Sequence, residues 1–186
     1  DRILDAIASI CSRRIGMNKH VVLVNARTLQ EARFRLKTSM GVSDAFYQHC
    51  VAYPIHGTGQ GSGNSPQIWC FVCSVLFDAF EEATDGASFY SYDGTQCTTL
   101  HMVGFVDDCA QRTNAFRADP QPTAEELCHK MSHDAQVWND LLWASGGALE
   151  LSKCTFHLIE SDWRADGQPF LKGGASGHTV NITNGL

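Results

Sequence analysis

Between Lys37 and Arg112 the chain has no lysine or arginine, while Asp44, Asp78, Glu81, Glu82, Asp85, Asp93, Asp107 and Asp108 fall in that interval. With a formal net charge of −6, this excludes a simple nucleic-acid-binding module, whose affinity would rest on a basic surface. An acidic block either repels phosphates or recruits metal ions to hold them. Also lacking is any run of about eighteen apolar residues, so no membrane span is expected. The opening "DRILDAIASI" has no basic stretch followed by an apolar core, which excludes a signal peptide. There is no internal repeat and no low-complexity tract. The chain lacks an initiator Met and starts inside a helical pattern, and "GHTVNITNGL" stops without a terminating element. Both ends read as cuts from a longer protein. The eight cysteines are scattered, several in apolar stretches such as "IWCFVC". They read as reduced thiols of an intracellular protein, so the sequon-like Asn181-Ile182-Thr183 is no more than a polar tail.

What is present is a mixture of helix and strand signals. Ile3, Leu4, Ile7, Ile10 and Cys11 recur at helical spacing, and Gly16 stops that helix. "HVVLVNARTLQEARFRL" reads as a helix running into a short extended piece. "GVSDAFYQHCVAYPIHGTGQGSGNSPQ" reads as a long loop. From Pro66, "IWCFVCSVLFDAFEEA" is apolar nearly all round, the pattern of a buried helix. "SFYSYDGTQCTTLHMVGFV" predicts two strands joined at Asp93-Gly94, and "CAQRTNAF" resumes an extended pattern. Thr123 and Glu126 form a capping box for a helix ending near Ser145, where Gly146-Gly147 stop it. "ALELSKCTFHLIESDWRADGQPFL" predicts a hairpin turning at Asp166-Gly167. Without regular strand-helix alternation, the class is α+β.

Two motifs carry chemistry. Asp107 and Asp108 place like charges side by side at a hairpin between apolar runs. Such a pair resists joint ionisation unless something positive lies between. Two-metal phosphoryl-transfer sites supply that charge, with ions about 3.5–4 Å apart; an ordinary turn is the alternative, since Asp favours turns. The second motif is "GTGQGSGNSPQIW", a glycine loop leading into the apolar helix. Its backbone N–H groups suit phosphate, and Pro66 suits a first helical turn; a flexible linker is the alternative. It is neither a dinucleotide fingerprint nor a P-loop, since its glycines alternate and no Lys-Ser or Lys-Thr pair follows.

Together, "QGSGNSP", an apolar helix and then "GFVDD" resemble reverse transcriptases, most closely the retrotransposon type. The likeness runs from about Asp44 to Leu171, and "GGALELSKCTFHL" extends it. It implies a polymerase palm-type antiparallel sheet packed on helices, with partial fingers. Residues 1–65 would be fingers and palm, 66–148 the palm core, and 149–186 the end of the palm with a primer-grip-like hairpin. It implies that Asp107 and Asp108 ligate Mg2+, with Mn2+ as a substitute. Gln60 and Gly61 would position template or nucleotide, Ser65 and Pro66 would start the supporting helix, and Lys153 would act as general acid toward pyrophosphate. Phe105 would touch the primer or pack in the core. The family's other metal-binding Asp precedes an aromatic by five positions, and neither Asp1 nor Asp5 does so; that motif is expected before Asp1. The complete protein would extend a primer with dNTPs on an RNA or DNA template, in the cytoplasm or nucleus, and this portion alone would be inactive.

Other readings compete. An RNA-directed RNA polymerase shares the palm logic, but with Gly-Asp-Asp rather than aromatic-x-Asp-Asp. A domesticated remnant would only bind partners. Cys70, Cys73, His129 and His133 would make four zinc ligands if they met. Trp138, Leu141, Leu142 and Trp143 are expected in the core, and Ser65 has no evident His-Asp pair to activate it.

Overall fold

The computed structural model describes residues 3–52, 54–57, 63–106, 108–115, 121–172 and 177–183. The class is α+β: among the described residues, four α-helices accompany small antiparallel sheets, each of two strands. Two compact units emerge, residues 1–76 with 144–147, and residues 77–143 with 148–186.

The first unit opens with α1 (Asp5–Arg14) and α2 (Lys19–Glu31). Gly16, at φ +97, reverses the chain after α1, and Asn18 caps α2 by accepting the His20 N–H at 2.9 Å. Chain expected as loop instead forms a long irregular hairpin. Its strands are β1 (Arg33–Phe34), β2 (Lys37–Thr38), β3 (Gly41–Val42) and β4 (Tyr47–Gln48), with β2 paired to β3 and β1 to β4. The pairing arises because Ser43 bonds Leu36 twice, through its N–H and its hydroxyl.

Helix α3 (Ser65–Ala83) carries the boundary between the units. Its apolar composition predicts burial on all sides, yet burial follows one stripe of Ile68, Val72, Leu76 and Phe80, while Cys70 and Ser74 are exposed. Residues four apart share a face, so this spacing is one seam. Each such side chain contributes about 1.5–3 kcal/mol.

The second unit begins with two hairpins, β5 (Ala87–Tyr90) with β6 (Cys97–Leu100), and β7 (Met102–Phe105) with β8 (Asp108–Gln111). Asp93 organises the first turn by accepting from Ser91 and Thr95, which holds its carboxyl below the usual carboxylate range. Helix α4 (Ala124–Ser145) starts at the expected capping box: Thr123 N–H donates to Glu126 at 2.7 Å, and Glu126 N–H donates to Thr123 Oγ1 at 3.2 Å. It ends at Gly146, φ +95. Trp138 and Leu142 enter the core as expected, but Leu141 is only half-buried and Trp143 is exposed. Beyond α4, a 3-10 turn (Leu151–Lys153) replaces the expected strand start, and β9 (Ser161–Trp163) pairs with β10 (Pro169–Leu171) around Gly167. The polar tail is pinned on α4: Asn181 N–H donates to Ser132 Oγ at 3.0 Å and Thr183 N–H to Gln136 Oε1 at 2.7 Å.

None of the eight cysteines is bridged. Cys11 and Cys128 are buried as small hydrophobes, but Cys50, Cys70, Cys97 and Cys154 are exposed. No helix of the described residues is long and apolar enough to cross a membrane.

Candidate active site

The site begins with a hairpin whose register leaves a two-residue loop. Phe105 lies opposite Asp108, with Val106 following β7. Asp107 itself lies outside the described residues, as do Gln60, Gly61 and Asp1. Asp108 is therefore the first residue of β8 rather than a turn residue, and it is exposed.

Val106 has φ +58. Two-residue hairpin loops favour positive φ in their first position because that twist matches the strands, and Gly, Asn or Asp normally occupy it. A β-branched residue there is an outlier that costs about 1–3 kcal/mol. Two residues earlier the hairpin packs closely on α3. A Cβ on Gly104 would lie 2.6 Å from Phe77 Cζ, so only glycine lets β7 approach α3 this closely. The Phe77 ring packs in turn on Trp138 of α4, at 5.6 Å between centroids, and Phe80 meets the same indole edge-on at 5.9 Å. Hairpin, α3 and α4 thus form one stacked support.

Directly opposed residues of an antiparallel pair share a face. Met102, Gly104, Cys109 and Gln111 share the face against α3, where Met102 is buried. Val103, Phe105, Asp108 and Ala110 share the other, and all four are exposed. The expectation of Phe105 in the core fails: the ring is 78% exposed beside the carboxylate. At the hairpin's base, Arg112 N–H donates to the His101 carbonyl at 3.1 Å. Thr84 donates its hydroxyl to the Phe80 carbonyl, so the 3.0 Å contact with His101 Nδ1 requires His101 to be the donor. Asn114, just beyond β8, bonds both backbone groups of Ser88: its Oδ1 accepts the N–H at 3.1 Å, and its Nδ2 donates to the carbonyl at 2.8 Å. One side-chain amide thereby joins the β7–β8 chain to β5 as a third strand would.

Lys153 is exposed at the end of the 3-10 turn. The neighbouring Glu150 is held below its ordinary range, chiefly by the Ser152 hydroxyl and backbone N–H, with a smaller pull from Lys153.

In the first unit, the glycine loop is described at its two ends. Gly57, at φ +91, donates its N–H to the Ile3 carbonyl at 2.9 Å, which brings the loop's start to the entrance of α1. At the other end Asn64 accepts the Ile68 N–H at 3.1 Å, Ser65 is half-buried, and Pro66 is exposed in the first turn of α3. Nearby Asp5 was missed as a perturbed group. Burial raises its carboxyl above the usual range, while His56 and then His49 pull it down. His49 Nδ1 lies 2.9 Å from the Ile55 N–H. The sequence signal was faint, since the two histidines stand far from Asp5 along the chain. A groove lined in part by Asp5, Ser9 and Asn25 adjoins this region, with room of about 20 Å³, enough for a water.

Among the described residues, no three His, Cys, Asp or Glu side chains gather to hold a metal ion; Cys70, Cys73, His129 and His133 are among those described. His133 instead lies 3.3 Å from the buried Asp134 carboxylate. No protein-family model matches the chain, and no curated protein or solved structure matches it significantly.

Proposed function

We propose that the chain is the palm-bearing part of a reverse transcriptase of retrotransposon type, a nucleotidyltransferase whose complete protein adds dNTPs to a primer 3′-hydroxyl on an RNA or DNA template. The supporting observation is the apex of the β7–β8 hairpin. A β-branched residue is held at φ +58 between an exposed aromatic and the Asp pair, on a glycine packed against Phe77. Strain maintained by its surroundings is a recurrent mark of functional sites, and an ordinary turn would carry Gly or Asn there. The Asn114 bridge to β5 also suits a palm, because it aligns two hairpins as one surface.

In this reading Phe105 and Val103 offer an apolar face to the primer's terminal sugar, beside Asp108. An exposed carboxylate suits a hard cation such as Mg2+ in kind, but a single carboxylate is not a site. Asp107 would be the second ligand, and the third would come from the motif expected before Asp1. Bound magnesium, or manganese in its place, would polarise the phosphate oxygens. Gln60 and Gly61 would position template or nucleotide, Ser65 and Pro66 would set the helix that supports them, and Lys153 would donate a proton to departing pyrophosphate. The location would be the cytoplasm or nucleus.

Primer extension by the complete parent protein tests the proposal. Incorporation of dNTPs, lost in Asp107→Asn and in Asp108→Asn, is the expected result. Incorporation of rNTPs alone would point instead to an RNA-directed RNA polymerase. Undiminished incorporation in both variants would remove the Asp pair from the chemistry altogether.

A further inference from the structure

Helix α4 presents Ser132 and Gln136 one turn apart, and both bond the main chain of the segment 177–183. Ser132 Oγ accepts the Asn181 N–H at 3.0 Å while it donates to the Cys128 carbonyl at 2.9 Å. Gln136 clasps both main-chain groups of Thr183: its Oε1 accepts the N–H at 2.7 Å, and its Nε2 donates to the carbonyl at 3.2 Å. The Thr183 hydroxyl donates to the same Oε1 at 2.9 Å. Nε2 also donates to Asp140 Oδ1 at 2.7 Å, and that carboxylate orients the amide. The spacing is a geometric match. Four helical residues rise about 6.0 Å, and two extended residues rise about 6.6–6.8 Å. Side chains at i and i+4 of a helix therefore meet main-chain groups at j and j+2 of an extended segment running the same way. Burial alternates with that period, since Val180 and Ile182 are half-buried while Thr179, Asn181 and Thr183 are exposed.

We infer that this face of α4 is a seat for an extended peptide segment, filled in cis by residues 178–183 and open to the same segment of a second copy when its own tail leaves. A side-chain amide that binds both the N–H and the carbonyl of one residue acts as the edge of a neighbouring strand would, so a helix here performs strand addition. Main-chain bonds of this kind supply affinity without reading sequence, and alternate side chains supply the selectivity. The occupant is thereby specified: an extended segment parallel to α4, with branched apolar residues two apart. This chain's tail, its own or another copy's, meets that description through Val180 and Ile182. Reciprocal exchange of one element between identical chains gives a two-fold dimer without any new kind of contact. The inference concerns peptide binding on α4 and does not rest on nucleotidyl transfer.

Amide hydrogen exchange on the 186-residue chain is the first test. Exchange at Asn181 and Thr183 should be about tenfold slower than at Val180 and Ile182, and Gln136→Ala should remove the protection at Thr183. Uniform exchange along 178–183 in the wild type overturns the seat. The second test follows the fluorescence anisotropy of a labelled peptide of residues 177–183. Val180→Asp with Ile182→Asp in the full chain releases the tail. That variant should bind the peptide about tenfold or more tightly than the wild type, whose tethered tail competes at high effective concentration. Adding Gln136→Ala to the released variant should cancel the gain, and an unlabelled peptide carrying the two Asp substitutions should not compete. Circular dichroism verifies that each variant keeps its helices. Equal peptide binding by the wild type and the released variant, with no binding by either included, overturns the exchange, as does binding indifferent to Gln136→Ala. Absence of dNTP incorporation by the parent would leave these outcomes untouched.

Discussion

Val106 and Gly104 show how two residues set the shape of a hairpin apex. At φ +58 valine is strained, and asparagine tolerates that region far better. Val106→Asn is therefore expected to stabilise the protein by about 1 kcal/mol, raising the melting temperature by about 2–4 °C. Under the proposed function it should also lower dNTP incorporation by the parent protein; a melt without the rise would disprove the strain. Gly104→Ala has the opposite sign. Its methyl would stand 2.6 Å from a ring already packed on Trp138, and overpacking of this kind costs about 1–3 kcal/mol. Asn139 is fully buried, and among the described residues neither its amide N nor its O has a partner. Asn139→Leu should raise stability in a urea melt by about 1–3 kcal/mol, because it removes an uncompensated desolvation. A loss of stability would mean that the amide has a partner in solution.

At the scale of elements, local signals held where caps and turns decide, and failed where packing decides. The box before α4 was legible because Thr123 and Glu126 satisfy each other's backbone donors without help from the rest of the fold. Thr123→Ala should cost about 1 kcal/mol. Glu126 is depressed below its usual range by Thr123. Its contribution is present above the ordinary carboxylate range and lost as pH falls through its lowered value, so helix content should fall on acidification and Glu126→Gln should flatten that response. Asp5 behaves inversely. Position in the first turn of α1 favours its charge, yet burial wins and raises it. A raised carboxyl makes stability fall as pH climbs from the ordinary Asp range through the raised value. Asp5→Asn should therefore match the wild type at low pH and exceed it at pH 7, as read by urea melts across that interval. The hairpin at 33–48 was anticipated only as a short extended piece after α2, because Arg33-Phe34-Arg35-Leu36-Lys37 alternates but its paired strands are two residues long; Ser43 and its two bonds to Leu36 create the pairing.

On the scale of the whole chain, the acid-rich and base-rich halves of the composition correspond to the two units. The acidic interval noted in the sequence belongs mostly to the second unit, together with Asp108. The glycine loop belongs to the first. Under the proposed function, the 186-residue chain alone should not incorporate dNTPs, since the third metal ligand is assigned to sequence before Asp1. Primer extension with the purified chain checks this, and measurable incorporation would refute the assignment.

The sequence by itself determined the mixed class, the positions of the long helices, the β7–β8 hairpin and Asp108 beside its turn, because these follow from periodicity, caps and turn chemistry within a few residues. Tertiary structure decided which face of α3 is buried, that Phe105 stands in solvent beside Asp108, and that Val106 must adopt a strained conformation. Those outcomes depend on which surfaces meet. Phe77 finds room against β7 only at Gly104, and no local pattern records that distant pairing.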